Sequence, residues 1–210
     1  MISPTHPYER IQRYVTLRGA EQIPRQICQY LLDLPLPGYE PPDSNDYPRA
    51  RLMKYLYHDG VDPLAGPLPT PEQKLAMVFD PLRQTDPPDK DKCYRVFPQS
   101  YVSQTEYVGK TILRAYMGQT VARSVHHCEL SVIFECMTNV VYEGAAGTAL
   151  SRTWAMECAL LEALNGININ GVGTLYFDRA QHHACGSYPI DDRGTNVGRR
   201  LVLGLTWGAG

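Results

Sequence analysis

The sequence predicts an α+β fold: a mainly antiparallel sheet covered on one face by a helix, with N-terminal helices and a long proline-rich extended segment. Three observations predict it. CELSVIFECMTNVV (128–141) and GRRLVLGLTW (198–207) alternate with the period of two that a half-buried strand needs. Between them, SRTWAMECALLEALNG (151–166) opens on a serine N-cap and closes on Asn-Gly around a broad apolar surface. Prolines at 35, 37, 41, 42 and 48 remove backbone donors and fix φ between the first helices and the sheet.

Taken in order, residues 8–17 (YERIQRYVTL) and 23–34 (IPRQICQYLLDL) read as helices. In the second, Pro24 suits the first turn and Ile27, Leu31 and Leu34 line one face. A short amphipathic piece (49–60) follows the prolines. Its tyrosines and leucines, with Tyr39 and Tyr47, argue against plain disorder, and a segment draped over a neighbouring subunit satisfies both features. Thr70-Pro71-Glu72 starts another helix, with Leu75, Ala76, Val78 and Phe79 as its buried side. Residues 81–92 (PLRQTDPPDKDK) read as an exposed loop.

From Tyr94 the pattern is β. YRVFPQSYV (94–102) is an edge or bent strand because of Pro98, and 107–118 is a hairpin partner. In the strand after Cys128, Leu130, Val132, Phe134, Cys136 and Val140 face a core. Glu129, Ser131, Ile133, Glu135 and Asn139 face a largely wet side. On the helix, Trp154, Cys158, Leu161 and Leu164, flanked by Met156 and Leu160, form the apolar surface, with Glu157 and Glu162 as a wet fringe. VGTLYFDR (172–179) is a strand, 179–200 a long polar loop, and the closing strand turns Leu201, Leu203, Leu205 and Trp207 to one face. Two regions result: 1–92, helices and proline-rich segment, and 93–210, a sheet-plus-helix unit.

Composition narrows the function. A hydrophobic fraction of 43% and a net charge of −2 fit a chain with a real core and disfavour tight nucleic-acid binding. No apolar run reaches the roughly 20 residues of a membrane span, and the start lacks a signal core, so secretion is not expected. Six cysteines (28, 93, 128, 136, 158 and 185) then belong to a reducing compartment, with Cys28, Cys136 and Cys158 as small buried hydrophobes.

His126-His127-Cys128 and His182-His183-Ala184-Cys185 are the clusters that suggest chemistry. Neither has CxxC or HxxxH spacing, so ordinary polar roles are expected and no metal or cofactor is assigned. NGVG (170–173) lacks the lysine and following helix of a phosphate loop and reads as a turn. The 179–200 loop carries more weight. It holds charges of both signs around Tyr188, Pro189 and Ile190, and Arg179, Tyr188, Asp191, Asp192, Arg193, Arg199 and Arg200 are its candidate subunit-interface residues. An ordinary solvated hairpin extension is the other reading.

From Tyr94 to Trp207, just over half of the chain, the sequence resembles tail terminator or tail-completion proteins, the minor tail proteins at the head–tail neck of tailed bacteriophages. The resemblance rests on CELSVIFECMTNVVYE, SRTWAMECALLEALNGININGVGTLYF and IDDRGTNVGRRLVLGLTW and on their order. It implies a structural virion protein that forms a ring, commonly a hexamer, ends the tail tube and joins it to the head connector. Its partners would be itself, the tail-tube protein and the head–tail connector protein. DNA would pass through the lumen without specific binding, with no membrane and no catalysis. It would be assembled in the host cytoplasm and found in the virion. The proline-rich region departs from that pattern and leaves open a tail-tube or baseplate subunit. A Cys/His metal-dependent enzyme using His126, Cys128, His182, His183 and Cys185 is the rival from another class.

Overall fold

A computed structural model of the chain describes residues 17–34, 47–59, 62–79, 94–102, 109–144, 151–192 and 195–208. The expected helix at 8–17 (Leu17 apart), Tyr39, the prolines from 35 to 42 and the stretch 81–92 lie outside them. So does the 92/93 boundary between the two expected regions.

The described elements, in chain order, are α1 (Ile23–Leu31), α2 (Pro48–Tyr57), α3 (Pro71–Met77), β1 (Val96–Phe97), β2 (Ile112–Ala122) and β3 (His127–Asn139). They continue with α4 (Val140–Glu143), α5 (Arg152–Leu164), β4 (Asn168–Ile169), β5 (Gly173–Tyr176), β6 (Gly186–Asp192) and β7 (Asn196–Gly208). The fold is α+β. β3 is central, paired antiparallel with β2 on one side and with β7 on the other, from His127↔Gly208 to Asn139↔Asn196. β1 joins β2 in parallel, and Val78 bridges Val96 of β1 in parallel on its other side. The far edge of β7 is shared: β5 takes its C-terminal half and β6 its N-terminal half.

Local chemistry starts and stops the helices as the sequence indicates. Thr70 forms a full capping box with Gln73 at α3. The Ser151 hydroxyl accepts the Trp154 N–H at the start of α5, and Gly166, at φ +78°, ends it in the left-handed region. Residues 170–173 make the turn between β4 and β5. Pro98 ends β1 after two residues, at the edge where a missing donor is tolerated.

One apolar core joins both expected regions. Ile23, Ile27 and Leu31 of α1, Leu52 and Leu56 of α2, and Met156, Leu160 and Leu164 of α5 pack with Leu113, Val132, Phe134, Leu203 and Leu205 of the sheet. Leu52, Tyr55 and Leu56 are therefore buried in their own chain, which corrects the expectation that the 49–60 piece drapes over a neighbour. The helix, ten residues long, packs chiefly against α5 of its own chain. α1, α2 and α3 meet at Asp33, whose buried carboxylate takes the Arg49 guanidinium at 3.0 Å, Lys74 at 3.9 Å and the Tyr47 hydroxyl.

Four sequence expectations need correction. In α3, Leu75 and Ala76 are exposed, and burial falls on Met77 and on Phe79, which has already left the helix. The buried face of α5 is Met156, Ala159, Leu160, Ala163 and Leu164, whereas Trp154 is exposed and Glu157 is buried against Arg199. The second face of β3 is not wet: Ser131, Glu135 and Met137 are all buried. Met137 joins Ile112, Phe97, Val102 and Phe79 in a small second core, and Glu135 is enclosed by cations. Finally, the polar loop at 179–200 contains β6, a seven-residue strand in register with β7 from Gly186↔Val202 to Asp192↔Asn196. Strand pairing satisfies its backbone, something a polar composition does not reveal.

The helical and sheet parts are also tied by a buried polar network around Arg152, which is fully buried at the first turn of α5. Its guanidinium donates to the His58 carbonyl at 3.0 Å and to Thr111 Oγ1 at 3.0 Å, and Thr111 Oγ1 contacts Thr138 Oγ1 at 2.9 Å. Asp59 receives Arg95 through two bonds, 2.8 and 2.6 Å, and the Thr111 N–H at 3.3 Å. Burial lowers the Arg152 pKa while the Asp59 charge opposes that shift. Glu143 offsets the dipole by capping Thr153 N–H and Oγ1, at 3.1 and 2.6 Å.

Arg152→Ala is expected to lower unfolding free energy by about 3 kcal/mol or more, read by urea titration, because it strands buried acceptors and opens a cavity. A second expectation concerns pH. Burial pushes the Cys28 thiol from 9.0 up to about 12, and it also raises Cys128, Cys136, Cys158 and Cys185. Folded values above unfolded ones mean this stabilisation is whole below the unfolded thiol pKa and is lost as pH rises through the folded range. The urea midpoint is therefore expected to fall as pH rises from about 9 towards about 12, less steeply in Cys28→Ala.

Candidate functional site

The sheet places four side chains side by side on the face opposite α5. In register across β2, β3, β7 and β6 stand Arg114, Glu135, Arg200 and Tyr188. Glu135, 1% exposed, accepts from Arg200 Nε at 2.8 Å and from the Tyr116 hydroxyl at 3.0 Å, and it is ion-paired with Arg114. One carboxylate thus holds two guanidiniums, leaving a net positive row in which the Arg200 side chain remains 44% exposed. Its hydrogen bond raises the Arg200 pKa. Burial, then the same negative charge, raises the Tyr116 phenol. Cross-strand pairing of opposite charges fixes the arginines as a rigid surface.

Beside this row, Phe177, Arg179, Cys185, Gly186, Ser187 and Tyr188 line a pocket of about 210 Å³. The Tyr188 ring lies back across Gly186 and forms the pocket wall: a Cβ there would stand 2.5 Å from its hydroxyl, so a larger residue would push the ring aside. Tyr188 is 41% exposed and Phe177 is also open to solvent. Gly204 makes similar room further along β7, where Tyr176 and His182 sit against it. The buried Cys185 thiol, its pKa raised by desolvation, is neutral at ordinary pH, so Arg179 supplies the charge of the pocket.

Of the seven interface candidates, Tyr188 and Arg200 stand in register on the side opposite α5, and Arg179 lines the pocket with Tyr188. Arg199 points the other way: it pairs with Glu157, donates to Ser187 Oγ at 2.7 Å and lies 4.2 Å from the centre of the Trp154 ring. Asp191 and Asp192 lie in β6 opposite Val197 and Asn196, and Arg193 lies outside the described residues. The sequence reading missed Arg114, Tyr116, Glu135 and Phe177. A signal was present for two of them: Arg114 and Glu135, like Arg200, interrupt otherwise apolar strands, and isolated strand charges that must be buried seek each other.

The histidine–cysteine clusters do not assemble into one centre. Cys128 shares the helix-covered face with Leu130 and Val132, whereas His182 packs at Gly204 on the opposite face. Among the described residues no group of three or more His, Cys, Asp or Glu side chains is placed to hold a metal ion. His126 and His127 are exposed, with His127 Nδ1 at 2.8 Å from Ser124 Oγ. His182 is buried and stacked on His183 at 5.2 Å, and desolvation, then His183, lowers its pKa.

Glu135→Gln is expected to leave two guanidiniums facing a neutral amide. The loss should be about 2–3 kcal/mol in urea titration, below a fully buried pair because Arg200 is partly solvated. Compared with known proteins, the chain matches no family profile, no curated protein and no solved structure.

Proposed function

We propose that the chain is a structural virion protein of the head–tail neck, a subunit that forms a ring, ends the tail tube and joins it to the head connector. It acts by contact and not by catalysis. The observation that carries the reading is the sheet face opposite α5, which no helix covers among the described residues. There a buried glutamate holds Arg114, Arg200 and Tyr116 in place beside the half-exposed Tyr188. Arginine and tyrosine on a rigid, partly desolvated surface are the residues that dominate protein–protein contacts. The resemblance of Tyr94–Trp207 to tail terminator proteins supplies the setting.

A ring is the closed form of a head-to-tail contact between identical copies, and closure is what a terminator needs in place of filament growth. The overall charge of −2 suits a lumen that DNA traverses without specific binding. Among the described residues no helix is long and apolar enough to cross a membrane, and the proposed place of action requires none.

Native mass spectrometry and negative-stain imaging of the purified chain are expected to give a closed ring of one stoichiometry. Proteomics of the purified virions is expected to find the chain in the particle. A chain absent from virions sinks the reading, and open-ended filaments would move it to the tail tube.

A further inference from the structure

We propose that His182 is an acid-operated latch: in its neutral form the buried ring pins the loop 178–185 to the sheet, and protonation frees that loop. The device stands apart from the Arg114–Arg200 row and does not depend on the neck reading.

The bonds of the ring fix one protonation state. His182 is fully buried, and its Nδ1 accepts the Ala184 N–H at 3.2 Å. The proton of the neutral ring therefore sits on Nε2, which is buried, completes no hydrogen bond and faces the Gln119 carbonyl at the bulge of β2. A second proton has one place to go, Nδ1, where the Ala184 N–H already points. Charging the ring thus sets two donors against each other and leaves a cation out of water. The seat of the ring is shaped for it: a Cβ on Gly204 would stand 3.0 Å from the His182 Cβ and closer still to the Tyr176 ring.

The groups that face His182 come from several elements. Arg123, just beyond β2, and His183, stacked on the ring at 5.2 Å, both oppose a positive charge there. Glu129 of β3 favours it, but that carboxylate is engaged by Arg123 at 2.7 Å and also faces His127. Tyr176 of β5 and Cys185 are neutral, each pKa raised by burial, and β7 presents the uncharged Gly204. Desolvation is the larger influence and, with His183, holds the His182 pKa below its ordinary 6.5. A folded value below the free one means that the stabilisation is whole above about pH 6.5 and is lost as pH falls through the folded value.

What the ring holds is a small unit closed by its own bonds. The His182 N–H donates to the Asp178 carbonyl and the Cys185 N–H to the His182 carbonyl, each at 3.0 Å, and the Asp178 carboxylate accepts the Ala180 N–H. Toward the sheet the unit is tied by the buried ring, by Arg123 donating to the Gln181 carbonyl at 3.3 Å, and by a weak contact from Cys185 Sγ to the Tyr176 carbonyl at 3.7 Å. Expelling the ring lifts the unit and uncovers Cys185, which is 1% exposed in the closed form. The loop lies between Phe177 and Gly186, so the pocket beside Tyr188 opens with it.

The test is pulse labelling of the full chain with dipyridyl disulfide, which reacts with thiols at acid as well as neutral pH, read at Cys185 and Cys28 by mass spectrometry. Cys28, fully buried in the helical core, reports global unfolding. From about pH 7.5 to about pH 5 the Cys185-to-Cys28 labelling ratio is expected to rise about fivefold or more. In His182→Asn, whose amide oxygen keeps an acceptor for Ala184 and takes no charge, the ratio should stay within about twofold. An NMR titration of the natural chain, which needs no variant to fold, is expected to place the His182 midpoint below 6.5. His183→Gln, at an exposed position, should raise that midpoint. Cys185 and Cys28 becoming reactive together, an equal rise in His182→Asn, or a natural midpoint at or above 6.5 overturns the latch.

Discussion

The buried guanidinium of Arg152 is the point through which the helical half of the molecule is joined to the sheet. It reaches the end of α2 through the His58 carbonyl, and the start of β2 and the end of β3 through Thr111 and Thr138. A cation at a helix N-terminus opposes the dipole, and burial penalises it further, as its lowered pKa reflects. Its persistence there follows from geometry: one side chain donates to acceptors at the end of α2 and the start of β2, and Thr111 passes the contact on to Thr138 of β3. Asp59, clasped by Arg95, completes the network with negative charge nearby. Buried polar networks of this kind select one arrangement of packed elements over its near neighbours, because any other leaves charges unpaired.

That junction decides which sheet face the described helices cover. With α1 and α5 held over Leu113, Phe134 and Leu203 and α2 packed on α5, the opposite face receives, among the described residues, the small Phe79–Phe97–Met137 cluster at one end. The middle of that face is closed by charge: Glu135 is shielded by Arg114, Arg200 and Tyr116, which stand over it. The same residues both solve the burial of a carboxylate and present a basic, aromatic exterior.

Much of the fold was legible in the sequence because its signals are local. Caps at Thr70 and Ser151, the glycine stop at 166, the break at Pro98 and the alternation of β3 and β7 all act within a few residues. The errors share a different character. Glu157 and Glu135 read as wet because a carboxylate in isolation prefers water, yet each is buried by an arginine from a strand far away in the chain. β6 read as loop because its composition is polar, although its strand state depends on the free edge of β7. Arg199 and Arg200, adjacent in sequence and read there as members of one set, serve opposite faces of the sheet. Alternation along a strand implies it once residue 196 onward is known to be a strand.

By itself, then, the sequence determined the α+β class, the helix termini, the central antiparallel strands and the apolar face of the sheet, since these follow from propensity, capping and periodicity along a contiguous stretch. Tertiary structure alone decided that α2 belongs to the chain's own core and that Arg152 is buried. It also decided that Arg114, Glu135, Arg200 and Tyr188 form one row beside Arg179. The reason is register. Whether a charge is solvated, paired or set on a surface depends on which residue stands opposite it across a strand pair, and that choice is made by packing between segments far apart in the chain.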